Sequence, residues 1–170
     1  MSATAIYDFE GVLEGATVAS LTAAGITAFS SQDDQVQQKE RPYVAVSVAL
    51  GAGNQQFLQV DPATGLPPAE PHWKYRRERS WDVTVTLCLI TNPTIAEHTA
   101  ARCKLRNVMA SLWLTINGTA PMTRHQFEWK RDGGSTALQM SQDRDHYRTD
   151  FTFYGIISVQ ADAWTALTEP

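Results

Sequence analysis

The amino-acid sequence predicts an α+β fold, in which a mixed and mostly antiparallel sheet carries two helices on one face. Two stretches place apolar residues at helical spacing, and several others alternate apolar and polar residues as half-buried strands do. The strands are grouped before and after the second helix, an order typical of α+β domains. With 170 residues, the chain is predicted to be a single domain, 1–170, with an ordinary core that needs neither metals nor disulfides.

The first helix is predicted over residues 4–23, and Gly25 is predicted to cap its C-terminal end. A short apolar piece at 26–29 is a possible strand, and the polar residues 30–41 are expected to form an exposed loop. The helix prediction depends on apolar side chains that recur near helical spacing, namely Ile6, Phe9, Val12, Leu13, Ala16 and Leu21.

Two strands are predicted next, over residues 43–50 and 81–90. The first is rich in β-branched residues, and the second alternates apolar with polar side chains. Between them, the glycines and prolines of residues 51–80 predict a long loop or arm. Connections of this length in compact domains are usually functional or disordered.

A second helix is predicted over residues 95–114. Thr94 and Glu97 have the spacing of a capping box, in which the hydroxyl and the carboxylate accept hydrogen bonds from backbone N–H groups at the start of the helix. The helix is expected to bury an apolar stripe of Ile95, Ala101, Leu105, Val108, Met109, Leu112 and Trp113.

The remaining chain is predicted to form a hairpin and a final strand. Residues 123–131 alternate weakly, 132–135 carry an Asp-Gly-Gly-Ser sequence typical of a tight turn, and 136–140 would be the returning strand. A long last strand is predicted over 146–160, where apolar and polar residues alternate again.

The composition argues against several classes of function. A net charge of −4 and a pI near 5.5 disfavour a dedicated nucleic-acid binder. No apolar run approaches the roughly 20 residues of a membrane span, and the N-terminus lacks the basic segment of a signal peptide, so a soluble protein is expected. Cys88 and Cys103 are expected to be buried, reduced thiols, consistent with an intracellular origin.

The residues most suggestive of catalysis are Asp143, Asp145 and His146, with Asp150 nearby. Two carboxylates beside an imidazole can bind a metal ion or move protons, which would make the chain a small hydrolase or a metal-binding enzyme. The alternative, which we favour, is a solvated turn that leads into a strand with alternating charges. The four histidines lack metal-ligand spacing and no second cluster supplies partner groups, so we predict no enzyme activity, no metal and no cofactor.

Residues 72–79 combine aromatic and basic side chains, which are the usual anchors of protein interfaces. One alternative is a basic edge that leads into the next strand. Another is a nucleic-acid surface, which the acidic composition disfavours. The predicted subunit or partner interface consists of Trp73, Lys74, Tyr75, Arg76, Arg77 and Arg79.

The order and character of these elements resemble the tail terminator (tail completion) proteins of long-tailed bacteriophages. The likeness covers most of the chain except 51–80 and the extreme C-terminus. It is carried by a Pro-Tyr-Val-Ala-Val strand at 42–46, a Trp-Asp-Val-Thr-Val strand at 81–85, a helix over 96–112 that begins Ala-Glu-His-Thr-Ala-Ala, and an Asp-His-Tyr-Arg-Thr-Asp-Phe-Thr-Phe strand at 145–153.

The resemblance implies a structural virion protein at the tail–neck junction, made in the host cytoplasm. It implies a hexameric ring that caps the tail tube, stops its elongation and contacts a neck or head-completion protein, with DNA only passing through the lumen and no membrane contact. The residues 51–80 are then the candidate arm for reaching a neighbour. Another head–tail joining or neck adaptor protein is the alternative within the same class, and the enzyme that uses Asp143, Asp145 and His146 is the alternative from another class.

Overall fold

The computed structural model describes residues 9–33, 35, 38–57, 77–122 and 125–159. In these parts the chain forms two α-helices and one six-stranded mixed sheet, most of whose pairings are antiparallel. The predicted α+β class is thereby confirmed. The sheet consists of β1 (Ala28–Ser30), β2 (Tyr43–Phe57), β3 (Arg77–Thr91), β4 (His125–Ser135), β5 (Gln139–Met140) and β6 (Tyr147–Val159), with β1-β2-β3-β6-β4 as the strand order and β5 also paired with β6.

The first helix, α1, spans Phe9–Ala23, and the predicted residues 4–8 lie outside the described part. Gly25 ends it with a φ of 78°, a left-handed conformation that glycine adopts without steric cost. The N–H of Gly25 donates to the carbonyl of Thr22 at 3.0 Å, and that of Ile26 donates to the carbonyl of Leu21 at 2.9 Å. This is the Schellman pattern, so the predicted glycine cap is confirmed.

The strands β2 and β3 extend further than predicted. Their antiparallel register runs from Tyr43 opposite Ile90 to Phe57 opposite Arg77, so residues 51–57 and 77–80 belong to strands. The predicted loop bounds of 51–80 were therefore wrong at both ends. The glycines after Leu50 do not end the strand, because a bulge between Leu50 and Gly53 absorbs them. The intervening residues 58–76 lie outside the described part.

The second helix, α2, spans Ile95–Asn117, three residues beyond its predicted end. The predicted capping box is wrong, because Thr94 makes no side-chain cap and the Glu97 carboxylate accepts instead from the side-chain amide of Asn92 at 3.2 Å. Ile95 is 60% exposed and does not belong to the buried stripe. Neither described helix combines the length and the apolar character needed to cross a membrane.

The predicted hairpin turn at 132–135 is also wrong. Both β4 and β5 pair antiparallel with β6, so residues 132–140 continue along one side of β6 instead of folding back on β4. Gly134, with a φ of 82°, lies at a bulge, and a Cβ at Gly133 would approach the carbonyl oxygen of Thr152 to 3.1 Å. The chain reverses at 141–146 instead, where Arg144 has a φ of 56°.

The core lies between the two helices and one face of the sheet. A representative register row places Val46 opposite Leu87, and Leu87 opposite Phe151, and all three side chains are buried. Leu105 and Leu112 of α2 belong to the same buried cluster. Both helices therefore cover the same face, as the alternation in the strands predicted.

Candidate functional site

Only Arg77 and Arg79 of the predicted interface belong to the described part of the chain. Residues 72–76, which include Trp73, Lys74, Tyr75 and Arg76, lie outside the described residues. Arg77 and Arg79 belong to β3, where their backbones pair with Phe57 and Gln55 of β2. The prediction that these residues form an interface therefore remains a prediction.

The Asp143–His146 cluster lies in a turn, and hydrogen bonds to Asp145 brace this turn. The Asp145 carboxylate accepts hydrogen bonds from Ser141 Oγ at 2.7 Å and from Arg41 Nη2 at 3.1 Å, and it lies 2.7 Å from His146 Nδ1. These three contacts, with Ser141 the largest, hold the pKa of Asp145 well below its usual range. A carboxylate so stabilised in its charged form is a poor proton acceptor, and Asp143 beside it is exposed.

The same brace joins two distant parts of the chain. Arg41 donates to the carbonyl oxygen of Asp145 at 2.5 Å as well as to its carboxylate, so the segment before β2 is tied to the turn before β6. Asp150 does not join this cluster, since its carboxylate accepts from Arg148 at 2.8 and 2.9 Å. Among the described residues, no group of three potential ligand side chains is placed to hold a metal ion.

The two cysteines differ from the prediction. Cys103 is exposed and Cys88 is only half-buried, so the expectation of two buried thiols was wrong. Cys103 lies on the solvent side of α2, whose buried face is formed by other residues. Burial, followed by the neighbouring Asp150, raises the pKa of Cys88 to about 12, which makes it an unreactive thiol near neutral pH.

His98 is one of the buried polar residues of the described part of the chain, and the sequence did not predict its burial. It lies on α2 with no exposed surface, between β3 and β6. Thr91 Oγ1 donates to the carbonyl of Asn92 at 3.0 Å, so it accepts the Nδ1–H of His98 at 2.9 Å. Nε2 then accepts from the hydroxyl of Thr149 at 2.8 Å. This pattern assigns the neutral Nδ1–H tautomer to His98.

A groove of about 770 Å³ separates α2 from β4. Two of its lining rings pack on the buried Phe153: Trp129 stacks on it with ring centroids 4.1 Å apart, and Phe127 meets both Trp129 and Phe153 edge-on. The helix contributes Met109 and Trp113, and Trp113 remains 41% exposed. A half-open apolar groove of this kind is a typical binding surface.

Charged groups lie along the same groove. Arg106 of α2 reaches across it, with Nη2 at 3.3 Å from Ser135 Oγ and the guanidinium 5.8 Å from the Phe151 ring. Asp132 lines the groove from β4. Trp113 was predicted to belong to the buried stripe of α2, and this was wrong, since it is 41% exposed and lines the groove. The groove itself was not predicted, because periodicity within one element does not show which elements lie side by side.

The opposite face of the sheet carries small and hydroxyl side chains. A register row places Ser47 opposite Thr86, and Thr86 opposite Thr152, and each of these residues is partly or fully exposed. Both helices pack on the other face, so the described elements leave this outer face open to solvent. An accessible sheet face with polar and small side chains suits contact with another protein.

No protein-family model matches the chain, and no curated protein matches its sequence.

Proposed function

We propose that the chain is a structural virion protein that forms a ring, in our proposal a hexamer, on the end of a phage tail tube. In this role it stops addition of tube subunits and contacts a neck or head-completion protein. It acts without catalysis or a cofactor, and it resides at the tail–neck junction of the virion. The support comes from the resemblance of the sequence and from the arrangement of the sheet, of which one observation carries most of the argument.

That observation is the one-sided covering of the sheet. The helices bury the face that contains Leu87, whereas the face that contains Thr86 stays accessible. A closed ring needs each subunit to offer two different surfaces to its two neighbours. An open sheet with one packed face, one exposed face and two edges supplies such surfaces on a rigid body.

The edges of the sheet support the same proposal. Within the described residues, β4 pairs with β6 on one side and with no strand on the other. This 11-residue strand therefore forms an edge of the described sheet. At the opposite edge, β1 covers β2 only from Val44 to Val46. Strand edges of this length are natural pairing or covering sites for a neighbouring subunit.

The braced cluster around Asp145 gives the enzyme alternative no comparable support. Its carboxylate is held in the charged form by three hydrogen-bonding partners, and its contacts join two loops. These contacts stabilise the fold of the subunit. We therefore place the interaction role first.

The experiment is deletion of the gene from a phage that encodes it, followed by electron microscopy of the particles. Loss of a tail terminator leaves overlong or unstable tails, whereas loss of a neck adaptor leaves tails of normal length detached from heads. Purified chain added to tail-tube ends is expected to form rings there. A strict monomer at high concentration, which also fails to bind tube ends, would contradict the proposal.

A further inference from the structure

We propose that two copies of the free chain form a two-fold dimer along the α2–β4 groove, each inserting Leu138 and Met140 into the groove of the other. The two inserting side chains are here called the knob. The proposal does not rest on the ring, because it concerns the chain away from tail tubes and uses the helix side of the sheet.

Both knob residues are apolar and exposed, and the strand register places Met140 on the face that carries the groove. Leu138 is 37% exposed and Met140 is 50% exposed, values that set them apart from the buried core. Met140 pairs with Tyr147, which pairs in turn with the buried Thr91 beside α2. Since register partners project to the same face of a sheet, Met140 projects to the helix side, where the groove opens.

Groove and knob follow one another along β6. Phe127 at the far end of the groove pairs with Ile157, Ser135 at its near end pairs with Phe151, and the knob residue Met140 pairs with Tyr147. From Ile157 to Tyr147 along β6, the surface therefore presents the groove first and the knob second. In a second copy related by a two-fold axis, the order along β6 is reversed. The knob of each copy then lies opposite the groove of the other, so one two-fold interface contains the same contact twice.

The charged side chains Asp132 and Arg106 lie near the middle of this surface, and they are complementary to the same pair in a copy related by a two-fold axis. Asp132 pairs with Phe153, and Arg106 brings its guanidinium to Ser135, which pairs with Phe151. The two opposite charges thus lie two positions apart along β6. A two-fold axis that crosses the groove between those positions places Arg106 of each copy opposite Asp132 of the other.

Opposite charges that meet at the centre of an interface set its register, while the apolar side chains supply most of the binding free energy. Here the apolar groups are Trp113 and Trp129 of one copy against Leu138 and Met140 of the other. The half-exposed Trp113 would lose its contact with water in the dimer.

Sedimentation equilibrium of the full chain between about 1 and 100 µM tests the proposal, and a monomer–dimer equilibrium in this range is expected. Arg106→Glu and Asp132→Arg should each weaken the dimer by about tenfold or more, because each places like charges together twice. An equal mixture of the two variants should dimerise again. In the mixed dimer, one contact pairs the two substituted side chains with opposite charges, and the other pairs the native Arg106 and Asp132.

Recovery in the mixture can arise only between chains, so it separates the proposed contact from an ion pair within one chain. Arg131→Glu is the matched control, since Arg131 stacks over Tyr154 at 4.4 Å on the outer face and its reversal should leave the dimer intact. Met140→Ser should weaken dimerisation without changing the circular dichroism spectrum. A monomer at all concentrations, or an assembly that both charge reversals leave unchanged, would overturn the proposal.

Discussion

His98 and Thr149 are 51 positions apart in the sequence, yet Nε2 of the imidazole accepts the threonine hydroxyl at 2.8 Å in the buried core. Together with the Thr91 contact, this hydrogen bond ties α2 to the ends of β3 and β6. Tyr147 packs edge-on against the imidazole, with ring centroids 5.9 Å apart. The network favours a neutral imidazole, because protonation at Nε2 would reverse this hydrogen bond, leave the Thr149 hydroxyl hydrogen without Nε2 as its acceptor and place a charge in the buried core.

The stability of the fold should therefore depend on the charge of His98. Burial, followed by the nearby Arg102 guanidinium, lowers the pKa of His98 from the ordinary 6.5. The unfolded chain then binds more protons than the folded chain, so stability is fully present above pH 6.5 and falls as the pH drops from 6.5 towards the folded pKa. Within that window the free energy of unfolding should fall by up to about 1.4 kcal/mol per pH unit.

Urea unfolding between about pH 8 and pH 5 measures this dependence. The variant His98→Gln should be less stable at pH 8 and should show a flatter pH dependence. His146→Gln is the control, since His146 contacts Asp145 in the turn at 141–146 and its loss should leave the contribution of His98 in place. An unchanged slope in His98→Gln would contradict the assignment.

Two glycines should respond in opposite directions to alanine. A Cβ at Gly155 would collide with the ring of Phe127 and lie 2.5 Å from the carbonyl oxygen of Glu128, so Gly155→Ala should cost about 2–3 kcal/mol or more in the free energy of unfolding. A Cβ at Gly15, inside α1, meets nothing within 4 Å. Gly15→Ala should therefore stabilise the helix by about 0.5–1 kcal/mol.

Thermal and urea unfolding of the two variants test this pair. Each serves as the control of the other, because both add one methyl group to the backbone and only the surroundings differ. Equal effects of the two substitutions would show that β4 does not approach Gly155 as closely as described.

The braced turn should depend on Asp145 and not on Asp143. Asp145→Ala removes the acceptor of Ser141, Arg41 and His146, so amide hydrogen exchange of 141–146 should become faster. Asp143→Ala, at an exposed position in the same turn, should leave the exchange rates unchanged. If Asp143→Ala opened the turn as much as Asp145→Ala, the hydrogen-bond assignment would be wrong.

The two thiols should react at different rates. Cys103 is exposed, whereas the Cys88 thiol is half-buried with its pKa raised to about 12. Treatment of the native chain with an alkylating reagent near pH 8 should add one label quickly, and intact-mass measurement follows it. Cys103→Ser should abolish the fast step, while Cys88→Ser should preserve it.

Local patterns in the sequence were sufficient for the fold class, for both helices and for the alternation of the central strands. These features depend on side chains a few positions apart, as with Gly25, whose positive φ a helix end requires. They also predicted a turn at 132–135 and a capping box at Thr94. Both predictions failed because each local motif has two uses, and a partner outside the motif chose between them.

At Gly133 and Gly134 the distant partner is β6, which continues past the glycines and turns a hairpin signal into a bulge. At Glu97 the partner is nearby in sequence: the side-chain amide of Asn92, five positions earlier, donates to the carboxylate that a capping box would use. The groove between α2 and β4, the buried position of His98 and the bracing of Asp145 by Arg41 depend on distant partners, as the bulge does. Periodicity tells which side chains share a face of one element, but a contact across 50 or 100 positions depends on how the elements pair, and that only the folded chain decides.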